Sequence, residues 1–176
     1  DPKGKYFFSG GEDGRTFAID TKTKRLLFTL PHHADFVNDI KFRGYFLATA
    51  SYDKRIHVFN YATITPVATL KAHADPVMKV QFITNNILCS VDKKSSTIIW
   101  DISAKKVLKR LEGVHDDVVQ ITSSENFLFL GTALGFVIVY ELQNYQQISR
   151  KFVSVDSRIT CLEYDHEQDL LVVADE

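Results

Sequence analysis

Apolar and polar positions along this chain alternate in short bursts that never lengthen into a helical period. The stretch from Val37 to Leu70 is representative: VNDIKF, YFLATAS, IHVFN and PVATL follow one another, separated by RG, YDKR and YATIT. Short runs rich in β-branched and aromatic residues, bounded by turn-forming residues, predict strands. No window keeps apolar residues at i, i+3 and i+4 beyond two turns, so no helix is predicted. Two runs, FLFLG at Phe127–Gly131 and LLVVAD at Leu170–Asp175, are apolar at nearly every position. That pattern predicts strands whose two faces both meet protein.

The bursts recur with a period of about forty residues. His33 returns as His73 and as His115, steps of 40 and 42. Asp35, Asp75 and Asp117 follow each histidine by two residues, and Val37, Val77 and Val119 by four. A second marker keeps the same step: an apolar strand closes in Ile19-Asp20, Phe59-Asn60, Trp100-Asp101 and Tyr140-Glu141. Two markers holding one period predict a repeat architecture of four strands per unit, here called a to d. The expected units are 1–32, 33–72, 73–114, 115–154 and a partial 155–176, together one repeat domain over 1–176. The first unit begins at strand b, and the last carries only a and b.

The stretches PKGKYFFSGGEDGRTFAID, LATASYDKRIHVFN and STIIWD, with a histidine before strand a, resemble WD40 repeats over essentially the whole chain. The resemblance implies an all-β fold, a β-propeller of four-stranded antiparallel blades set radially around a channel. About four blades are covered. Phe7 and Leu170 fall at one phase of the repeat, so strand b occurs at both ends and a four-blade closure leaves one strand over. The expectation is an open arc of a larger propeller of about six to eight blades.

In that family the histidine before strand a joins a hydrogen-bonded tetrad with a Ser or Thr on strand b, an Asp in the b–c turn and a Trp on strand c. Carried over, the resemblance implies His33, Ser51 and Asp53 in the second unit, with Thr49 the alternative hydroxyl and Phe59 in place of the Trp. In the third unit it implies His73 and Trp100, with Lys94 where the turn Asp belongs and Asp92 where the Ser belongs. In the fourth it implies His115 and Thr132, with Tyr140 and Leu134 at the other two places. The first unit keeps Asp13 but has Gly11 and Ile19 at the Ser and Trp places.

A histidine two residues from an aspartate also suits metal binding or proton transfer. Ligands of one ion must converge within a few ångströms, whereas equivalent positions on successive blades diverge. The histidines are therefore expected to be structural, with no catalytic, cofactor or metal site. SGGEDG at Ser9–Gly14 follows a strand and precedes another, so it reads as a turn and not a phosphate cradle. Cys89 and Cys161 lie in strand-like runs without metal-finger spacing, and read as buried free thiols of an intracellular, cytoplasmic protein.

With 21 basic and 22 acidic residues the chain has no general attraction to nucleic acid. No apolar run reaches membrane-spanning length. The resemblance implies a non-catalytic scaffold for protein–protein interaction within a multiprotein complex. The resemblance also implies a docking face where the d–a and b–c connections meet, which here carries Phe36, Tyr52, Lys54, Arg55, Pro76, Lys93 and Lys94. The alternative is a ligand-, metal- or substrate-binding propeller with its site at the central channel. Strand a offers Asn38-Asp39, Met78-Lys79 and Gln120-Ile121 there, with no ring of acids or histidines.

Overall fold

A computed structural model describes residues 4–153 and 158–176, and every regular element in them is a strand. The strands are β1 (Tyr6–Gly10), β2 (Thr16–Asp20), β3 (Leu26–Leu30), β4 (Val37–Arg43), β5 (Phe46–Ser51) and β6 (Ile56–Asn60). They continue as β7 (Thr65–Leu70), β8 (Val77–Phe82), β9 (Ile87–Asp92), β10 (Thr97–Asp101), β11 (Lys106–Arg110) and β12 (Val118–Ser123). The last are β13 (Phe127–Thr132), β14 (Phe136–Glu141), β15 (Gln146–Phe152), β16 (Ile159–Asp165) and β17 (Leu170–Asp175). They form three complete four-stranded antiparallel sheets, β4–β7, β8–β11 and β12–β15, flanked by β1–β3 on one side and β16–β17 on the other. The division placed between units four and five, at 154/155, lies outside the described residues, as do residues 1–3.

The sheets stack face to face as the blades of a propeller arc, because alternate residues of one strand must be buried in opposite directions. In β5, Leu47 packs toward the first blade with Tyr6, Phe8 and Phe59, while Ala48 and Ala50 pack toward the third with Val80, Leu88 and Trp100. Strand β9 repeats this: Leu88 faces blade two, and Cys89 and Val91 face blade four. Strand β13 sends Leu128 and Leu130 one way and Phe129 the other, toward Ile159 and Leu162. Burial of these interlayers, at roughly 25 cal/mol per Å² of apolar surface, is the main force holding the arc together.

Irregularities repeat with the blades as faithfully as the strands do. Strand a slips register at one place in each blade, between Val37 and Asp39, Val77 and Lys79, Val118 and Gln120, and Ile159 and Cys161. The c–d pairing slips at Ala18/Ile19, Val58/Phe59, Ile99/Trp100 and Val139/Tyr140. Such bulges sharpen the local twist that a radial blade requires. The acid or amide closing strand c caps the following turn: Asp20 accepts from the Lys22 and Thr23 amides, Asn60 from Ala62 and Thr63, Asp101 from Ala104. Four residues on, Lys24, Ile64, Lys105 and Tyr145 each take a left-handed conformation. The second sequence marker is thus a turn cap.

The sheets at the two ends share no strand, and their outward faces are open. Phe7 is 58% exposed in β1, and Leu170 and Val172 are 51% and 49% exposed in β17. The expectation that LLVVAD is covered on both faces is corrected: among the described residues only the face toward blade four has a neighbour. Cys89 is buried, and burial pushes its thiol pKa up, but Cys161 is exposed and so departs from the expected buried pair.

Candidate functional site

The connections before strand a and the turns between strands b and c lie together at one end of the blades. Backbone bonds tie them: Tyr52 N donates to Phe36 O, Lys93 N to Pro76 O, and Ala133 N to Asp117 O. At the first junction His33 N donates to Gly14 O. Gly14 sits at φ 75°, and a side chain there would collide with the His33 carbonyl, so glycine is required.

Blade three contains a complete polar network. Trp100 Nε1–H donates to Ser90 Oγ at 2.7 Å, Ser90 Oγ lies 2.6 Å from His73 Nε2, and His73 Nδ1 lies 2.9 Å from Asp92 Oδ2. Burial lowers the His73 pKa more than its bond to Asp92 raises it. A neutral imidazole donates from Nδ1 to the carboxylate and accepts at Nε2 from the Ser90 hydroxyl, which is satisfied in turn by the indole. Every member has its partner, so burial carries no unmet polar cost.

This corrects the assignment of roles within the blade. Asp92 does not stand in for the hydroxyl; it is the carboxylate, and Ser90, two residues earlier, is the hydroxyl. Asp92 also does the turn's work, since its Oδ1 accepts from the Lys94 and Ser96 amides. Lys94 is exposed and pairs with Asp75 at 3.1 Å.

Blade two reaches the same geometry from another position. His33 Nδ1 lies 2.9 Å from Asp53 Oδ2, and Nε2 lies 2.8 Å from Thr49 Oγ1. Thr49, not Ser51, is the hydroxyl partner; Ser51 Oγ donates to Asp35 O and accepts from the Asp53 amide. Burial pushes the Asp53 carboxyl pKa up, but the Ala34 amide and the His33 imidazole outweigh it and hold it below its usual value. Phe59 is buried where Trp100 stands in blade three, and donates nothing. His57 stacks on the His33 ring at 4.0 Å between centroids. Burial, then the neighbouring His33, lower its pKa to about 4.

Blade four has no such network. His115 is exposed and lacks a side-chain partner among the described residues. The positions matching Ser90 and Asp92 hold Leu130 and Thr132, so neither hydroxyl nor carboxylate meets the imidazole. Thr132 instead accepts from the Phe136 amide as a turn cap, and Tyr140 donates to Glu112 O. Ser95 supplies a substitute tie between blades three and four by accepting from the Val118 amide at 2.8 Å.

Five of the seven docking candidates meet along the seam between blades two and three. Phe36 and Tyr52 rings lie 6.0 Å apart, and Lys93 Nζ reaches across the seam to Tyr52 OH at 3.1 Å. Lys54 and Arg55 rim a shallow recess of about 320 Å³ whose other wall is Lys71, Ala72 and His73. Pro76 is buried and cannot touch a partner, which corrects its place in the set. Lys94 is occupied by Asp75. Lys71 was missed, although its exposure beside a repeat histidine was readable from the period.

At the channel end, strand a uses its polar side chains to link blades. Asn38 Nδ2 donates to Val77 O, Asp39 Oδ2 accepts from the Val80 amide, Gln81 reaches Ser123 Oγ, and Gln120 Nε2 donates to Thr160 O. Among the described residues no group of three or more His, Cys, Asp or Glu comes together as a metal site. No helix of the described residues is long and apolar enough to cross a membrane.

A repeated blade, a histidine tied to its b–c turn and strands aligned radially define a propeller built of tandem units. Comparison with known proteins agrees. Residues 24–60 match the family described as WD domain, G-beta repeat. A transcriptional corepressor of Arabidopsis thaliana, LEUNIG_HOMOLOG, is 29% identical over 146 residues, 80% of this chain and 18% of that protein. The WD repeat-containing protein 55 homolog of Drosophila melanogaster is 25% identical over 135 residues, 74% of this chain and 27% of that protein. Among solved structures, the WD40 β-propeller domain of Doa1 superposes with a TM-score of 0.84 at 17% identity, covering 98% of this chain and 58% of that one. The computationally designed Ika8 protein gives 0.81 at 21% identity, covering 98% and 56%. The chain is similar to WD40-repeat β-propeller proteins in its fold and in one matched repeat, and it spans less than a third of the length of these curated relatives.

Proposed function

We propose that this chain is a non-catalytic interaction scaffold, one propeller segment over 1–176, working within an intracellular multiprotein complex. Its docking face is the seam at Phe36, Tyr52, Lys54, Arg55 and Lys93. The observation that carries the reading is the contrast between buried and exposed polar groups. Titratable groups inside the blades are spent on one another, as in His73–Asp92 and His33–Asp53, whereas the aromatic and cationic groups of the seam point outward. Tyr and Arg on a rigid surface are favoured anchors for protein partners. Asn38, Asp39 and Gln120 of strand a, which a channel-centred site would need, are committed to links between blades.

The test is affinity capture by the full chain beside a Tyr52→Ala/Arg55→Ala variant, with identification of what each retains. Loss of a defined set of proteins at unchanged melting temperature supports the seam. Retention of every partner by the variant removes it.

A further inference from the structure

We propose that the recess between blades two and three binds an acidic, extended peptide segment whose carboxylates engage Arg55, Lys54 and Lys71. This rests on the scaffold reading and names the partner's chemistry. The recess sits between the turn carrying Asp53, Lys54 and Arg55 and the connection carrying Lys71, Ala72 and His73.

The electrostatics of the seam follow from how its charges are already used. Asp53 serves His33 and the Ala34 amide, Asp92 serves His73 and its own turn, and Asp75 pairs with Lys94. Each of these carboxylates therefore has its partners; Asp53 and Asp92 keep their charges beside neutral imidazoles, and the cations around the recess outnumber them. The Lys54, Arg55 and Lys71 side chains are exposed and make no hydrogen bond or ion pair among the described residues. Arg110 from β11 adds a fourth cation at the Lys71 side, anchored by its bond to Ala72 O at 3.0 Å. Two of the four are guanidinium groups, whose planar fork suits a carboxylate held by two bonds.

The scale of the patch selects a peptide over a polyanion. The chain as a whole has a net charge of −1, so no general positive field draws a polyanion to it. A nucleic acid or an anionic membrane needs a basic stripe along many phosphates or headgroups. The Phe36–Tyr52 pair beside the cations adds an apolar ledge, with Phe36 45% exposed, suited to one aromatic or aliphatic residue of the same segment.

Fluorescence anisotropy with the full chain decides the matter. The probes are a labelled peptide alternating Glu and Asp around one Phe, its Lys counterpart of equal length, a single-stranded RNA of matched charge, and phosphatidylserine vesicles. The expected result is saturable binding of the acidic peptide alone, weakened about tenfold or more by Arg55→Glu/Lys71→Glu and by raised salt. Equal or tighter binding of RNA or vesicles overturns the proposal, as does acidic-peptide binding that the charge reversals leave unchanged, or none at all. These side chains are exposed, so an unaltered melting temperature confirms that the variant is folded. Should the peptide fail while Tyr52→Ala/Arg55→Ala still loses its captured partners, the scaffold reading survives and only the acidic partner falls.

Discussion

Asp53 and Asp92 occupy different positions in their repeats, yet each places a carboxylate oxygen 2.9 Å from a histidine Nδ1. Residues two apart near a strand end share a face, so a carboxylate at either one reaches the imidazole. This is why the periodicity was legible in the sequence while the network partners were displaced by two residues. His115 holds the right phase but meets Leu130 and Thr132, so phase alone does not make a tetrad. We expect His73→Ala to lower stability by about 2–3 kcal/mol, because it strands Asp92 and Ser90 in the interior. Thermal denaturation checks this, and the protein's metal content should not change. For His57 the folded pKa of about 4 lies below the ordinary value of 6.5. The unfolded chain therefore binds more protons between those values. Stability should be full above about pH 6.5 and fall by on the order of 2 kcal/mol toward pH 4. His33 and His73 are shifted in the same direction and add to the loss. Around His57, His33 and Arg55 act in the direction of the shift, and Asp53 and the Pro31 backbone oppose it. Denaturant titrations across this range should show a shallower slope for His57→Gln.

At the scale of the element, the c–d turn is the most regular part of the molecule. Its cap was readable as the Asp or Asn closing strand c, but the left-handed residue four positions on was not, since it is Lys, Ile, Lys and Tyr in successive blades. No side-chain preference marks it; the backbone bond closing the turn imposes it, as from Lys24 N to Asp20 O and Tyr145 N to Glu141 O. Ile64 carries the largest penalty there, because a β-branched side chain crowds the backbone at positive φ. It is also 51% exposed, so little packing offsets that strain. Ile64→Asn should therefore stabilise the protein by about 1 kcal/mol, visible as a higher melting temperature. A fall would mean that the exposed Ile64 contributes more packing than the turn costs.

For the whole molecule, strand alternation and the forty-residue step made the arc legible. What they did not reveal is how unequal its two boundary faces are. Phe7, Leu26 and Leu27 open outward at one end; Leu170 and Val172 do so at the other. Apolar strands without a neighbour invite association. Light scattering of this segment should fall when Leu170 and Val172 are both replaced by Lys, with little change in melting temperature. Persistent scattering would assign self-association to another surface.

The side-chain links along strand a have a kinetic consequence. Asp39 holds the Val80 amide across a blade boundary, and Asn38 holds the Val77 carbonyl beside it. Separating blades two and three therefore requires both to let go together. Deuterium should enter the Val80 amide only after the neighbouring blades part, long after it has labelled the open rims, so the axis of the arc keeps the longest memory of the folded state.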